Sequence, residues 1–394
     1  MPAAMRTLIV GTDCSGMETP VMALQNLGVP VDHAFSCDVN RNVKATIMAN
    51  FPPRVWYDDV STRNNATAPK CDLYVAGFPC QPFSSAGKQQ GFSDWKGRGT
   101  VFFDVLQYIR QKEPTVFVLE NVVNLCRLQG GQYFQDIMDA LKSVGKYNLS
   151  TKILNTRENG IPQNRQRLYI VGIRKNADQG TFEWPEPVPV PSIEAFLEPR
   201  KRKPTKNDLP PKTRTVARAN VKEALRRLTA EGRDPLKEPW VVDIDSSTYR
   251  MKYMYDRSMC MTAGRPEGHW ITNRGRRMTT LEMLRLQGIQ TPEEGFKIVV
   301  SPLQLGRQVG NAMSVNVLER LFVRLLPAAG LVPAGSLRDR WASMARRCAN
   351  ASPKKSVLSK LALGLKVKRS AAVMPKKRKP SDRVDAVVKR ARRA

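Results

Sequence analysis

The sequence predicts a parallel, doubly wound α/β sheet, and three observations predict it. Short apolar or β-branched runs recur at residues 7–10, 31–37, 73–76 and 116–119. Helical periodicity fills most of the gaps between them. Acidic or polar residues stand where the runs end. Strands alternating with helices in this way imply a parallel sheet covered on both faces.

Residues 7–10 form the first run and enter a small-residue turn, Gly11-Thr12-Asp13-Cys14-Ser15-Gly16. Residues 17–28 carry helical spacing through Val21, Met22, Leu24 and Leu27 and close at Gly28. Residues 31–37 read as the second strand, followed by a helical pattern over 40–50. The buried strand 73–76 breaks at Gly77-Phe78-Pro79. Residues 84–99 are polar and glycine-rich, a mobile loop carrying Lys88, Lys96 and Arg98. A helix over 101–111 leads to 116–119, an apolar strand that ends at Glu120-Asn121. Ligands of such sheets bind at the carboxyl ends of strands, where Asp13, Asp38, Pro79-Cys80 and Glu120 fall.

After Ile173 the rhythm stops. Residues 183–215 are proline-rich and contain Arg200-Lys201-Arg202-Lys203, the mark of a linker or an irregular second domain. The basic stretch 200–218 either faces phosphates or is a solvated loop. Helical periodicity resumes from 279 with Leu281, Leu284 and Leu286, and 313–326 reads as an amphipathic helix.

Composition bounds the class. The chain has 394 residues, 64 Lys plus Arg against 35 Asp plus Glu, and a formal charge of +29. At 41% hydrophobic it can bury a core, which excludes wholesale disorder. No run approaches the roughly 18 apolar residues of a membrane span, and the stretch before Asp13 is short for a secretory signal. The seven cysteines are scattered, odd in number and without a CxxC pair, which argues against a disulfide framework or structural zinc and for a reducing compartment. Residues 352–394 hold 15 Lys/Arg, 2 Asp and no aromatic residue, the composition of a flexible basic arm. Such an arm adds salt-sensitive attraction to a polyanion. Within it Pro375-Lys376-Lys377-Arg378-Lys379-Pro380 and Lys389-Arg390-Ala391-Arg392-Arg393 read either as a nuclear-import signal or as a solvated tail.

Several residues carry chemistry. The glycine turn at 11–16 either cradles a nucleotide-like ligand or only packs tightly. Asp38 and Asp59 suit ribose hydroxyls, or are exposed caps. Cys80 follows a buried strand and Pro79 beside a lysine-bearing loop, so it is either a thiolate nucleophile or a buried structural thiol. Glu120 ends an apolar strand, where an acid is costly to bury unless paired or protonated, as a proton donor is. Arg165 and Arg167 alternate just before the strand 168–172, which points both to one face, able to hold a carboxylate or a base carbonyl. Together they make a nucleophile, an acid and an oxyanion clamp along one sheet edge.

In sequence order these motifs resemble the C5-cytosine DNA methyltransferases, from about residue 7 to 326. Pro79-Cys80-Gln81 with Phe83-Ser84 and Gly87-Lys88-Gln89-Gln90-Gly91-Phe92 resembles the family's nucleophile loop, and Arg98-Gly99-Thr100-Val101-Phe102-Phe103 the segment after it. Glu120-Asn121-Val122 resembles the acid motif and Gln163-Asn164-Arg165-Gln166-Arg167 the arginine motif. The stretch 276–288, with Glu282, Arg285 and Gln287, and Gln308-Val309-Gly310-Asn311-Ala312 resemble the last two motifs.

The resemblance implies a Rossmann-like S-adenosylmethionine-dependent methyltransferase sheet. Catalytic residues would be Cys80, Glu120, Arg165 and Arg167. The donor would be held by Cys14, Ser15, Gly16, Asp38, Val39, Asp59, Val60, Asn311 and Ala312. By the family's pattern Cys80 adds to C6 of a flipped-out cytosine, Glu120 contacts N3, and Arg167 holds the base carbonyl. Flipping costs a few kcal/mol of stacking, which loop 81–99 and phosphate contacts would offset. The implied organisation is a catalytic and cofactor-binding part at 5–174, a smaller irregular target-recognition domain at 175–274, a return to the catalytic part at 275–330, and the basic tail at 350–394. Arg and Lys residues of the recognition domain are candidates for phosphate and guanine contacts. The implied partner is double-stranded DNA, with no metal and no membrane, and the chain is expected to act as a free-standing, monomeric nuclear enzyme.

The chain departs from the family at the first motif. The usual Phe-x-Gly-x-Gly reads Cys14-Ser15-Gly16-Met17-Glu18, without the aromatic platform and the second glycine. Val39 stands where some members have Trp, which leaves adenine packing to Val39 and Val60, and Thr280 stands where many have Pro. One rival expectation is an RNA (tRNA) cytosine-5 methyltransferase of the same fold. A relative acting on transfer RNA carries Cys-Phe-Thr in its recognition region, and this chain has Cys260-Met261-Thr262. The other is a non-catalytic nucleic-acid-binding regulator, against which the intact Cys80 and Glu120 argue.

Overall fold

The computed structural model describes residues 5–79 and 101–343. Cys80, the loop 84–99 and the basic tail lie outside the described residues. The described residues fall in one compact unit, which contains both of the expected segments 175–274 and 275–330.

The chain opens with β1 (Leu8–Asp13), α1 (Thr19–Asn26), β2 (Val31–Cys37), α2 (Arg41–Asn50), β3 (Val55–Tyr57) and β4 (Leu73–Ala76). It continues with α3 (Val101–Lys112), β5 (Val116–Val122), α4 (Gln132–Lys142), β6 (Tyr147–Asn155), β7 (Gln163–Asn164) and β8 (Gln166–Arg174). Seven strands form one sheet in the order β3-β2-β1-β4-β5-β8-β6. The first five are parallel, while β8 runs antiparallel to both β5 and β6. From β1 the chain winds outward through β2 and β3, then crosses back to β4 and β5. That reversal opens a crevice at the carboxyl ends of β1 and β4.

Period-2 alternation divides each central strand between two cores. Leu8, Val10, Leu73, Val75, Val116 and Val118 face one side with α1 and α8 (Val315–Ala328). Tyr74, Ala76, Phe117 and Leu119 face the other with α3 and α4. Strands buried on both faces read as continuous apolar runs, which is why β2 and β4 match their sequence boundaries.

β1 does not match. Gly11, Thr12 and Asp13, read as part of a turn, are strand. A Cβ on Gly11 would lie 2.1 Å from Phe35 Cε1, so this glycine lets an aromatic ring cover the strand rather than bending it.

Beyond β8 lies α5 (Thr215–Ala230), followed by β9 (Trp240–Val242), β10 (Tyr253–Tyr255), β11 (Ser258–Met259), β12 (Trp270–Ile271) and β13 (Arg276–Arg277). Ala217, Val221 and Ala224 of α5 bury themselves against Val242, Ile244, Met251 and Trp270 of a small sheet ordered β10-β9-β12-β13. The basic stretch 200–218, left open as a loop, thus runs into this helix at Thr215. β11, which lies between β10 and β12 in the chain, pairs instead with β7 and so fastens this segment to the arginine motif. The chain returns through α6 (Thr280–Leu286) and α7 (Pro302–Asn311) to α8, which packs along α1. The sequence reading passed over α7, although Ser301 as N-cap and Pro302 behind it announce a helix start.

Candidate functional site

The β1–α1 turn is built on left-handed backbone: φ is +51° at Cys14, +58° at Gly16 and +56° at Glu18. Only Gly16 adopts that region without steric cost. The turn is tied to the end of β2. Ser15 N donates to Cys37 O at 3.1 Å and Gly16 N to Asp38 Oδ2 at 3.1 Å, while Asn40 N donates to Asp38 Oδ1 at 2.9 Å. Burial raises the Asp38 carboxyl above the usual range against these two donors. Burial, reinforced by Asp38 and Asp13, also raises the Cys14 thiol well above its usual value, so Cys14 is a neutral lining group. Val39 is 73% exposed beside Asp38, Val60 is buried, and Asp59 Oδ1 accepts from Ser61 N at 2.9 Å and Ser61 Oγ at 2.8 Å.

Asp13 corrects an expectation. It lies at the strand end but offers nothing to a ligand: Arg63 Nη1 and Nη2 donate to its two oxygens at 2.5 and 2.7 Å, and the Tyr74 hydroxyl donates at 2.5 Å. Both charged side chains are fully buried, and the guanidinium lies against the rings of Phe35, Tyr57 and Tyr108, 4.9–5.4 Å from their centroids. Removing one partner strands the other charge. Asp13→Asn or Arg63→Met is expected to cost about 3–5 kcal/mol of stability, read from the urea midpoint.

The second half of the site gathers on β5 and β8. Glu120 is 7% exposed on β5, and its Oε1 lies 3.1 Å from Arg167 Nε. A Cβ on Gly77 would sit 2.9 Å from Met313 Cε, 3.7 Å from Glu120 Oε2 and 3.8 Å from the Cys14 carbonyl. One glycine therefore marks where the first turn, the acid and the segment after α7 converge. The Asn121 amide donates to Phe78 O at 3.4 Å and holds the chain that leads from β4 to Pro79, the last described residue before Cys80.

Arg165 and Arg167 do share a side, yet they do different work. Arg167 meets Glu120 and, at 3.8 Å, Cys260 Sγ. The Arg165 guanidinium is buried and already used. Nη1 donates to Met261 O and Gly310 O at 3.0 Å each, and Nη2 donates to Ala312 O at 2.8 Å. The expectation that both arginines clamp a ligand is corrected for Arg165, which ties the segment after β11 and the end of α7 to the main sheet. The same network reaches Ala312. Its carbonyl accepts from Arg165 and from Gln287 Nε2 at 2.6 Å, as part of the scaffold, while Asn311 stands exposed at the end of α7. Gln163 completes the network, donating to Leu286 O at 2.8 Å and Gln287 Oε1 at 2.6 Å and accepting from Met261 N at 3.1 Å.

Cys260 entered the sequence reading only as part of a tripeptide. Burial pushes its thiol up, but Arg165 and Arg167 outweigh that and hold it below the usual value. Glu18, seen only as a missing glycine, and Gly77 were the other residues overlooked. The left-handed backbone at Glu18 is visible only in the fold, because a glutamate does not announce positive φ. Among the described residues no cluster of three or more His, Cys, Asp or Glu side chains could hold a metal ion, and no helix is long and apolar enough to cross a membrane.

With this geometry in view, the family model described as C-5 cytosine-specific DNA methylase matches residues 14–326. The chain is 33% identical to the Type II methyltransferase M.NgoBI of Neisseria gonorrhoeae over 289 residues, covering 73% of this chain and 84% of the relative. It is 31% identical to the Type II methyltransferase M.HaeII of Haemophilus aegyptius over 290 residues, with the same coverage. The fold is similar to the crystal structure of S. pombe Dnmt2 methyltransferase, with a TM-score of 0.53, 19% identity, and coverage of 82% of this chain and 98% of that one.

Proposed function

This chain belongs to the C-5 cytosine-specific DNA methylase family, and from that membership we propose how its residues divide the work. It is a DNA cytosine-5 methyltransferase that uses S-adenosylmethionine. The observation that carries the site assignment is the convergence at Gly77 of the Cys14 turn, the Glu120 carboxylate and Met313.

The residues present fit the donor. Asp38 supplies a half-buried carboxylate for ribose hydroxyls, Val39 and Val60 supply apolar surface for a base, and Gly77 has no room for a Cβ where Met313, Glu120 and Cys14 converge. Cys14, Ser15 and Gly16 would hold the donor's amino-acid end, with Asp59 and Asn311 at the rim. When bound, S-adenosylmethionine supplies an electrophilic methyl group on a sulfonium sulfur.

Cys80 adds as a thiolate to C6 of an extruded cytosine, because C5 is not nucleophilic until addition breaks the ring's aromaticity. Glu120 holds the proton at N3 that neutralises the developing charge, and Arg167 keeps Glu120 in place while facing the base carbonyl. After C5 gains its methyl group, loss of the C5 proton and departure of Cys80 restore aromaticity. Arg165 acts on this chemistry only through the backbone it positions.

The substrate is duplex DNA, read by residues 175–274, where Arg and Lys side chains contact phosphates and guanines. The enzyme works as a monomer, and the basic tail directs it to a nucleus. The Pro375–Pro380 and 389–393 clusters support that address, and a fluorescent fusion that stays out of the nucleus with and without the tail would refute it. The main test is transfer of labelled methyl from S-adenosylmethionine to duplex DNA and total RNA in parallel, followed by bisulfite sequencing. Label in DNA at one short cytosine context is the expected result. Label in RNA alone would overturn the substrate.

A further inference from the structure

The turn at 14–18 ends on a residue whose backbone and side chain oppose each other. Glu18 has φ +56° and ψ +37°, a conformation that glycine adopts freely and a side chain disfavours. Its side chain is fully buried. Burying a carboxylate is costly unless it is bonded, and here one oxygen is well bonded. Oε2 accepts from Ser36 Oγ of β2 at 2.7 Å and from Thr12 Oγ1 of β1 at 3.1 Å. Ser15 Oγ joins the same group, 2.8 Å from Thr12 Oγ1 and 2.7 Å from Ser36 Oγ. His33 Nε2 stands 3.6 Å from Oε2. Burial raises the Glu18 carboxyl, opposed by His33 and the two hydroxyls.

An apolar side chain on an ordinary turn would pack here without the desolvation. What the carboxylate achieves is a cross-tie. It joins β1, the turn and β2 at the level where Ser15 N meets Cys37 O and Gly16 N meets Asp38. The distance between the turn and Asp38 is therefore held from beneath by a group that touches no ligand.

We propose that Glu18 is a positioning residue of the donor site, whose buried carboxylate sets the spacing between the turn and Asp38 and thereby the affinity for S-adenosylmethionine. The inference rests on the reading that the donor lies along the turn and Asp38. Glu18→Gly separates strain from function: it relieves the left-handed backbone and removes the cross-tie. If Glu18 were merely tolerated, the variant would bind the donor as well as the native chain and melt no lower.

The proposal expects the opposite, measured on the full chain by calorimetry with S-adenosylmethionine and by steady-state kinetics on duplex DNA. In Glu18→Gly the donor Kd and KM should rise about tenfold, a change of about 1.4 kcal/mol, with kcat at saturating donor changed less than about threefold. Glu18→Gln keeps the shape and an accepting oxygen and should recover most of the affinity. Should Glu18→Gly fail to fold, Ser36→Ala removes the shortest arm of the cross-tie, together with the bond of Ser36 to Ser15, while keeping Glu18 in place, and should still raise the donor Kd about threefold or more, a fraction of a kcal/mol. Asp38→Ala distinguishes the two possible failures. If it leaves donor affinity unchanged, the donor-site reading falls. If it weakens binding while Glu18→Gly, or Ser36→Ala in its place, binds like the native chain, only the role of Glu18 falls.

Discussion

Glu120→Gln is expected to lower kcat by about 10²–10⁴-fold, the range associated with a lost general acid. The substitution preserves volume, so the strand should survive it. It removes the group that would hand a proton to N3 and the carboxyl oxygen that lies 3.1 Å from Arg167 Nε. Glu120 lies in register with Tyr169 across the antiparallel β5–β8 pair, so its position is set by the sheet rather than by a loop. Donor affinity should change only a few-fold. Single-turnover methyl transfer under saturating donor and DNA is the measurement. Turnover within fivefold of native would remove Glu120 from the proton-transfer role.

Cys80→Ser is the second large effect, a loss of at least about 10³-fold in methyl transfer, as expected when a nucleophile that works in concert with other groups is removed. A serine hydroxyl is far less acidic than a thiol and is a much weaker nucleophile at neutral pH. Salt-dependent DNA binding should remain, since phosphate contacts carry it. A duplex bearing fluorine in place of hydrogen at C5 of the target cytosine gives a direct readout. The fluorine cannot leave as a proton does, so the native chain should accumulate a denaturation-resistant protein–DNA adduct and Cys80→Ser should not. An adduct formed by the serine variant would sink the assignment of Cys80.

These two residues were legible because in the sequence each follows an apolar run, and the runs at 73–76 and 116–119 are strands buried on both faces. Such strands announce themselves as unbroken apolar runs, and a polar residue that terminates one is conspicuous. The same logic located Asp38 after β2. It failed at Asp13, because strand-end position says nothing about whether a partner fifty residues later already occupies the carboxylate. It failed again at Arg165. Alternation placed both arginines on one side correctly, but three backbone carbonyls from the segments at 261 and 310–312 consume one of them. The helix α7 was missed because its capping signals lie in a stretch otherwise dominated by glycine and polar residues.

The order of apolar runs and the motifs at their ends determined the sheet and the family, because local periodicity and strand-end chemistry are written in neighbouring residues. Tertiary structure alone decided which charged groups face a ligand and which are spent inside the protein. Asp13 with Arg63, Arg165 with Ala312, and Glu18 with Ser36 are separated by 50, 147 and 18 residues. Whether a buried charge is costly or satisfied depends on partners that only folding brings within hydrogen-bond distance.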